Sequence, residues 1–371
     1  MSHLRLCMVT AAVAFCAAFA PPSGATAQQP TAINRGVVEL ETSGAAGISV
    51  RIAEDLASMV DDGATRRVIP VVGKGSLQNL FDLKYLRGID LAILQTDVVD
   101  YAKEQQLLPG LDASFTYIAR LYNEEFHLLA GPDIKTIADL AHRKVNFDLR
   151  GSGTAITASR LFDLLKVPVT VVNDNQEIAL DKLRRGEIAA LAFVAGKPAP
   201  LFTRLKGDDG LHFVAVSFNP TAMGAYAPAR LTAADYPGLV PQARSVDTIA
   251  VGSVLAVAEL RQLPERYKNV ANFVDVFFTG FQSLLAPGHH PKWQEVNLAA
   301  EFPGWRRYAP AEQWLQRNIQ VANAPKPDEL KKIFGLFIDE RRQATGSPAM
   351  TQQDKDVVFQ QFQSWQKNKT Q

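Results

Sequence analysis

The sequence predicts an α/β fold in which a largely parallel sheet is layered against helices, and three observations carry that prediction. Short β-rich runs alternate with helical patterns from residue 35 to about 260, the signature of strands joined through helices. Several of those runs break at glycine and open straight into a helix, as in "RVIPVVGKGSLQNL" (67–80) and "VNFDLRGSGTAITASRL" (145–161). The chain has 371 residues, 47% of them hydrophobic, which is length and apolar content for roughly two domains.

Taken in order, the first element is an export signal. Arg5 precedes the apolar run "LCMVTAAVAFCAAFA", and "PPSGATA" ends in the small-x-small pattern Ala25-Thr26-Ala27, so residues 1–27 read as a secretory signal cleaved before Gln28. Both cysteines, Cys7 and Cys16, fall inside it. The exported chain is then expected to have no disulfide, no thiolate ligand and no cysteine nucleophile. It is also electrically neutral and has no basic run, which argues against nucleic acid as a partner. No later segment has eighteen uninterrupted apolar residues. The expected address is the periplasm, as a monomer.

The strands that follow are "GVVELETS", "RRVIPVVG", "IDLAILQ", "TYIARLY", "FHLLAG", "RKVNFD", "VTVVN", "IAALAFV", "LHFVAVS" and "TIAVGSVLAVA". Helices are expected over 47–61, 76–87, 153–166 and 176–185. In the first of these Ile48, Ile52, Leu56, Met59 and Val60 recur at helical spacing. After Pro287 the composition turns to Trp, Pro and Arg, so residues 288–371 read as a mostly helical extension appended to the body. "NAPKPDE" (323–329) reads as a linker within it.

No catalytic set appears. The glycine bends match neither a phosphate-binding G-x-x-x-x-G-K-[ST] loop nor a G-x-G-x-x-G dinucleotide turn, and there is no H-E-x-x-H and no G-x-S-x-G. The His289-His290 pair reads as a solvated loop rather than a metal grip. Asp61-Asp62, Glu124-Glu125 and Asp208-Asp209 read as surface acids. No enzyme activity, no cofactor and no metal site is expected. Binding is better served, because ligands of open α/β sheets sit beyond the carboxyl ends of the strands. Four segments fall there: Lys74, Gly75, Ser76 and Asn79; Gln95 and Thr96; Ser152, Gly153 and Thr154; and Ala195-Gly196. Helix starts at such points present free N–H groups and partial positive charge to a carboxylate or phosphate.

The segment "GKGSLQNLFDLKYLRGIDLAILQTDVVDYA" resembles the TAXI family, the TRAP-associated extracytoplasmic immunogenic solute receptors of tripartite ATP-independent periplasmic transporters. The likeness continues through "YIARLYNEEFHLLAG", "IKTIADLAHRKVNFDLRGSGTAITASRLFDLL", "EIALDKLRRGEIAALAFVAGKPAP" and "VDTIAVGSVLAVAE". The resemblance implies a type II periplasmic-binding-protein fold, two lobes with a ligand cleft and a two-strand hinge. On that plan the first lobe holds 28–130 and 245–287, and the second holds 131–244. "FHLLAG" and "TIAVGSVLAVA" would cross between them. It also implies a small organic anion as ligand, an amino acid or dicarboxylate, delivered to a TRAP-type membrane permease. Ser76, Asn79, Gln95, Thr96, Ser152 to Thr154 and Ala195-Gly196 would be the contacts. Lys74 stands where the family has a small residue, and Thr96 where it has Ser. The same lobes would also suit an ATP-driven importer or a periplasmic sensor subunit.

Overall fold

In the computed structural model the described residues are 36–207, 210–217, 226–261, 263–322, 350–351, 354–356 and 358–360. The signal segment and its cleavage point, Asp208-Asp209 and the 323–329 linker lie outside them.

The alternation read in the sequence becomes two βα layers. The first half runs β1 (Val37–Thr42), α1 (Ser49–Val60), β2 (Arg67–Val72), α2 (Ser76–Tyr85), β3 (Ile89–Gln95) and α3 (Thr96–Glu104). A short helix α4 (Leu111–Ser114) leads into β4 (Phe115–Ala130). The second half runs β5 (Lys144–Asn146), α5 (Gly153–Leu164), β6 (Thr170–Val172), α6 (Gln176–Arg184) and β7 (Ala190–Ala195). It continues through α7 (Pro200–Thr203), β8 (His212–Phe213) and β9 (Ala227–Thr232). The chain returns along β10 (Ser245–Ala258) and ends its described body with α8 (Pro264–Leu284) and α9 (Ala309–Ala322).

The strand order is β2-β1-β3-β10-β4-β7-β5-β6. β1 lies parallel between β2 and β3, and β5 lies parallel between β6 and β7. Parallel strands covered by helices on both faces should be apolar throughout, and every residue of β3 and β7 is buried. The long strands β4 and β10 pair antiparallel with each other; β10 lies antiparallel beside β3 and β4 beside β7. Each half therefore reads second-first-third strand, then the strand arriving from the other half. Two lobes of that order joined by two crossing strands make the type II periplasmic-binding-protein fold.

Side chains of a strand alternate between faces, and the cores follow that alternation. Ala190, Ala192 and Val194 of β7 enter one hydrophobic cluster, while Leu191, Phe193 and Ala195 enter another on the opposite face. A separate core wraps β1 to β3 with α1 and α8. It includes Tyr122 but not Phe126 on β4, and Val254 but not Val251 on β10. The change of core thus falls at Asn123-Glu124-Glu125 and at Gly252-Ser253. "TYIARLY" and "FHLLAG", read as two strands, form one sixteen-residue strand through those acids.

The described part of the C-terminal extension packs into the body, as the aromatic and proline content of "FPGWRRYAPAEQWL" suggests. Trp293 is fully buried in the first core, joined by Phe302, Tyr308, Ala311 and Leu315. Trp293 Nε1 donates to Asp55 Oδ2 at 2.9 Å, and Tyr308 N donates to the Tyr117 carbonyl at 2.7 Å. These aromatic residues are scattered among Pro and Arg, so composition points to packing but no periodicity says against which surface. The His289-His290 pair is likewise no solvated loop. His289 Nδ1 stands 3.1 Å from buried Asp55, and the His290 backbone N–H donates to the same carboxylate at 2.9 Å. Burial pushes the His290 imidazole down to about 4.

Candidate functional site

Between the lobes lies a cavity of about 140 Å³, lined at the carboxyl ends of β1, β3 and β7 and by the starts of α2, α5 and α6. Both glycine bends reach it. Gly75 has φ +122°, a conformation open to glycine, and a Cβ there would stand 3.0 Å from the Cα of Ser152 in the other bend. Gln78 N in the first turn of α2 donates to Gly151 O at 3.1 Å. At Gly153 a Cβ would land 1.7 Å from Gln95 Oε1, so that position has room for hydrogen alone. The two lobes are in direct contact here: this is the closed arrangement of the cleft.

Further contacts hold it shut. Thr157 on α5 donates to Asp97 on α3 at 2.7 Å, and Arg160 makes two hydrogen bonds to Glu104, at 2.7 and 3.2 Å. Tyr226 OH donates to the same Asp97 oxygen at 3.3 Å. Gly196 also belongs to this contact, because a Cβ there would sit 2.3 Å from Ile48 Cδ1 across the lobes.

Of the residues singled out in the sequence, Lys74, Gly75, Ser76, Gln95, Ser152, Gly153 and Thr154 line the cavity; Asn79, Thr96, Ala195 and Gly196 do not. Lys74 is exposed at its edge. Ser76 Oγ accepts from Gln95 N at 3.0 Å and Thr154 Oγ1 from Val194 N at 3.0 Å, which leaves each hydroxyl a proton to donate. Ser152 is the N-cap of α5, accepting from Ala155 N at 3.1 Å. Asn79 works beneath the bend, donating to Thr42 O at 3.1 Å and accepting from Gly75 N at 3.3 Å. It shapes the turn without reaching the cavity.

Sequence reasoning missed Ser43, Glu124, Asp148 and Gln176, all of which line the cavity. Ser43 could have been found, since "TSGAAG" is another strand end followed by glycine. Glu124 could not: a Glu-Glu pair reads as surface, whereas both residues are buried on β4. Gln95 Nε2 donates to Glu124 Oε2. Burial, aided by the charge of Glu125, pushes the Glu124 carboxyl up to about 7. Asp148 is pushed up to about 6 by burial, against hydrogen bonds from Leu149 N, Ser152 and Gln176. Two acceptors, Gln95 Oε1 and Gln176 Oε1, are buried without a hydrogen-bond partner.

A family model of the NMT1-like family matches residues 41–265, from the end of β1 to the start of α8. The chain belongs to the NMT1-like family. Among solved structures, the periplasmic binding protein BugD matches at a TM-score of 0.45 and 12% identity, over 77% of this chain and 94% of that one. The alkanesulfonate-binding protein SsuA from Xanthomonas axonopodis pv. citri matches at 0.41 and 14%, over 78% and 94%. A TctC solute binding protein from Polaromonas matches at 0.37 and 17%, over 67% and 89%. These likenesses are remote, and the fold assignment rests on the strand order. The matched NMT1-like span contains every lining residue of the cleft. Among the described residues no helix is long and apolar enough to cross a membrane, and no group of three or more acids, histidines or cysteines is placed to hold a metal.

The buried and half-buried acids of this NMT1-like chain set its response to pH. Burial raises Glu41 to about 8, Glu39 and Glu124 to about 7, and Asp97 and Asp148 to about 6. From about pH 4 to 8 the folded chain holds protons on these groups that the unfolded chain releases, so they lower stability as pH rises. His127 and His290, lowered by burial to about 3 and 4, act in the opposite sense, but only up to the ordinary histidine range. Five acids outweigh two imidazoles. The thermal midpoint is expected to peak near about pH 5 and to fall steadily toward pH 8. A midpoint that rises over that interval contradicts the protonated state of these carboxyls.

Proposed function

We propose that this chain is an extracytoplasmic solute-binding protein of the TAXI kind. It captures a small carboxylate-bearing solute, an amino acid or dicarboxylate, by lobe closure and delivers it to a TRAP-type membrane permease without chemical change. The observation that carries this reading is the meeting of two glycine-opened helix starts, α2 from one lobe and α5 from the other, on a single cavity. First-turn N–H groups and the positive end of each helix favour an anionic group there. The protons of Ser76 and Thr154 are available to it.

Only closure brings both helix starts to one ligand, so a ligand that bridges them stabilises the closed state. Lys74, Gly75, Ser76, Gln95, Ser152, Gly153 and Thr154 are the proposed contacts. Asn79 would support the first bend, with Thr96, Ala195 and Gly196 at the lobe contact. The lobes are proposed to divide at the crossing strands, about residues 130 and 245, and the chain to act as a monomer in the periplasm after loss of residues 1–27. The lack of a cysteine beyond residue 27 and of the nucleotide-binding, H-E-x-x-H and G-x-S-x-G motifs supports a carrier over an enzyme.

The test is a thermal-shift scan of the mature protein against amino acids, mono- and dicarboxylates and sugars. A native-state ligand at a hundred times its Kd stabilises by about 2.7 kcal/mol, so one carboxylate should raise the midpoint by several degrees. A response confined to sugars would sink the carboxylate reading.

A further inference from the structure

The cavity is richer in acceptors and acids than a site for a bare anion should be. Its lining acids are Glu124, Asp148 and Glu177, and Lys74 is the only base among the lining residues. Glu124 is 6% exposed, and among the described residues the one polar contact on its side chain is Gln95 Nε2, which is uncharged. Lys292 Nζ, the nearest buried cation, is engaged by Glu125 at 2.6 Å and Glu295 at 2.7 Å. The two glutamines complete the pattern. Gln95 and Gln176 are 4% and 2% exposed, both line the cavity, and the Oε1 of each lacks a donor. A buried acceptor without a donor costs about 1–3 kcal/mol. Among the described residues nothing supplies those donors, and both acceptors line the cavity where a ligand nitrogen could.

Resting on the receptor reading above, we infer that the solute carries a cationic nitrogen as well as its carboxylate, and that the nitrogen binds on the Glu124 side of the cavity. The inference chooses between the two solute classes left open. A dicarboxylate would bring a second negative charge beside Glu124 and Asp148 and would leave Gln95 and Gln176 without donors. An ammonium supplies three donors and the compensating charge.

Protons follow from this placement. Glu124 is faced by Glu125 and Tyr122 from its own strand, Asp97 from α3, Gln95 from β3 and Lys292 from the C-terminal segment. Of these only Lys292 favours its ionised form by charge, while burial opposes ionisation. An arriving ammonium lowers the cost of the carboxylate, so Glu124 gives up its proton to solvent as the solute binds. Affinity for an amine-bearing solute should therefore rise with pH between 6 and about 7.5.

The experiment compares matched pairs by titration calorimetry on the mature chain: L-glutamate against glutarate, and L-aspartate and L-lysine against succinate and hexanoate. It is run in two buffers of different ionisation enthalpy. The expected result is at least tenfold tighter binding of an amine-bearing member over its deaminated partner. At pH 6, where the free protein still holds the Glu124 proton, its heat should differ between buffers by close to one released proton. Glu124→Gln, which keeps shape and removes the charge, should erase both the preference and the proton release while leaving the thermal midpoint of the free protein unchanged or higher. If glutarate or succinate binds as tightly as its amine-bearing partner, or Glu124→Gln retains the preference, the amine inference falls and the carboxylate receptor stands. If no acid in the panel binds, both fall together.

Discussion

Replacing Gly75 by valine is expected to weaken solute binding by roughly tenfold to a hundredfold, the equivalent of about 1.4–2.8 kcal/mol. The physical cause has two separable parts. The φ of +122° costs a side-chain-bearing residue about 1–3 kcal/mol wherever the bend forms, open or closed. The second part exists only when the lobes meet, because a Cβ at 75 would stand 3.0 Å from Ser152 Cα and 3.3 Å from Gly153 N. Backbone cannot step aside as a side-chain tip can, so the penalty falls on closure and hence on affinity. Gly151→Ala is the control. It also has positive φ, at 86°, but a Cβ there meets nothing within 4 Å, so it should lose stability and keep affinity. Equal affinities for Gly75→Val and wild type would show that the bends do not meet in the bound form.

Lys292→Met is expected to cost about 3–5 kcal/mol of unfolding free energy, because it leaves a buried carboxylate uncompensated. Lys292 and Glu125 have side chains 2% and 4% exposed, and their 2.6 Å contact ties the C-terminal segment to the middle of crossing strand β4. Glu125 Oε2 also accepts from Lys197 N at 3.0 Å, in the second lobe. Burial already raises the Glu125 carboxyl, and Lys292 is the chief influence holding it down. Without the lysine that pKa climbs further, so the destabilisation should grow as pH rises and be smaller at pH 5 than at pH 8. Urea midpoints at both pH values measure this. The double variant Lys292→Met/Glu125→Gln should recover most of the loss. A loss identical at the two pH values, or no recovery, would mean that Lys292 acts through packing of its stem.

Much of the cavity lining was legible at the level of turns. Strand-glycine-helix junctions have a physical signature in the chain, because tight bends need particular residues and helix starts need caps. That is why Gly75, Ser76, Ser152 and Thr154 could be named from their neighbours alone. The limit appears one turn further on. Asn79 has the same sequence setting as a ligand contact, yet it folds back to hold Thr42 and Gly75. Gly196 was legible as a special glycine, but what it accommodates is Ile48 from the other lobe. A local pattern says that a small residue is required without saying what approaches it.

Charge was the least legible property. Glu124-Glu125 in a surface loop and Glu124-Glu125 on a central strand are the same letters. What separates them is the pairing of β4 with β10 and β7, with Lys292 brought to Glu125 from 167 residues away. The local sequence determined the α/β layering, the glycine-opened helix starts and the lack of catalytic motifs, because each depends on neighbours within a few residues. The tertiary structure alone decided which core the C-terminal aromatics complete and that three acids, Glu124, Asp148 and Glu177, line the cleft. Burial, and with it the protonation of a carboxyl, is set by what the rest of the chain places around it.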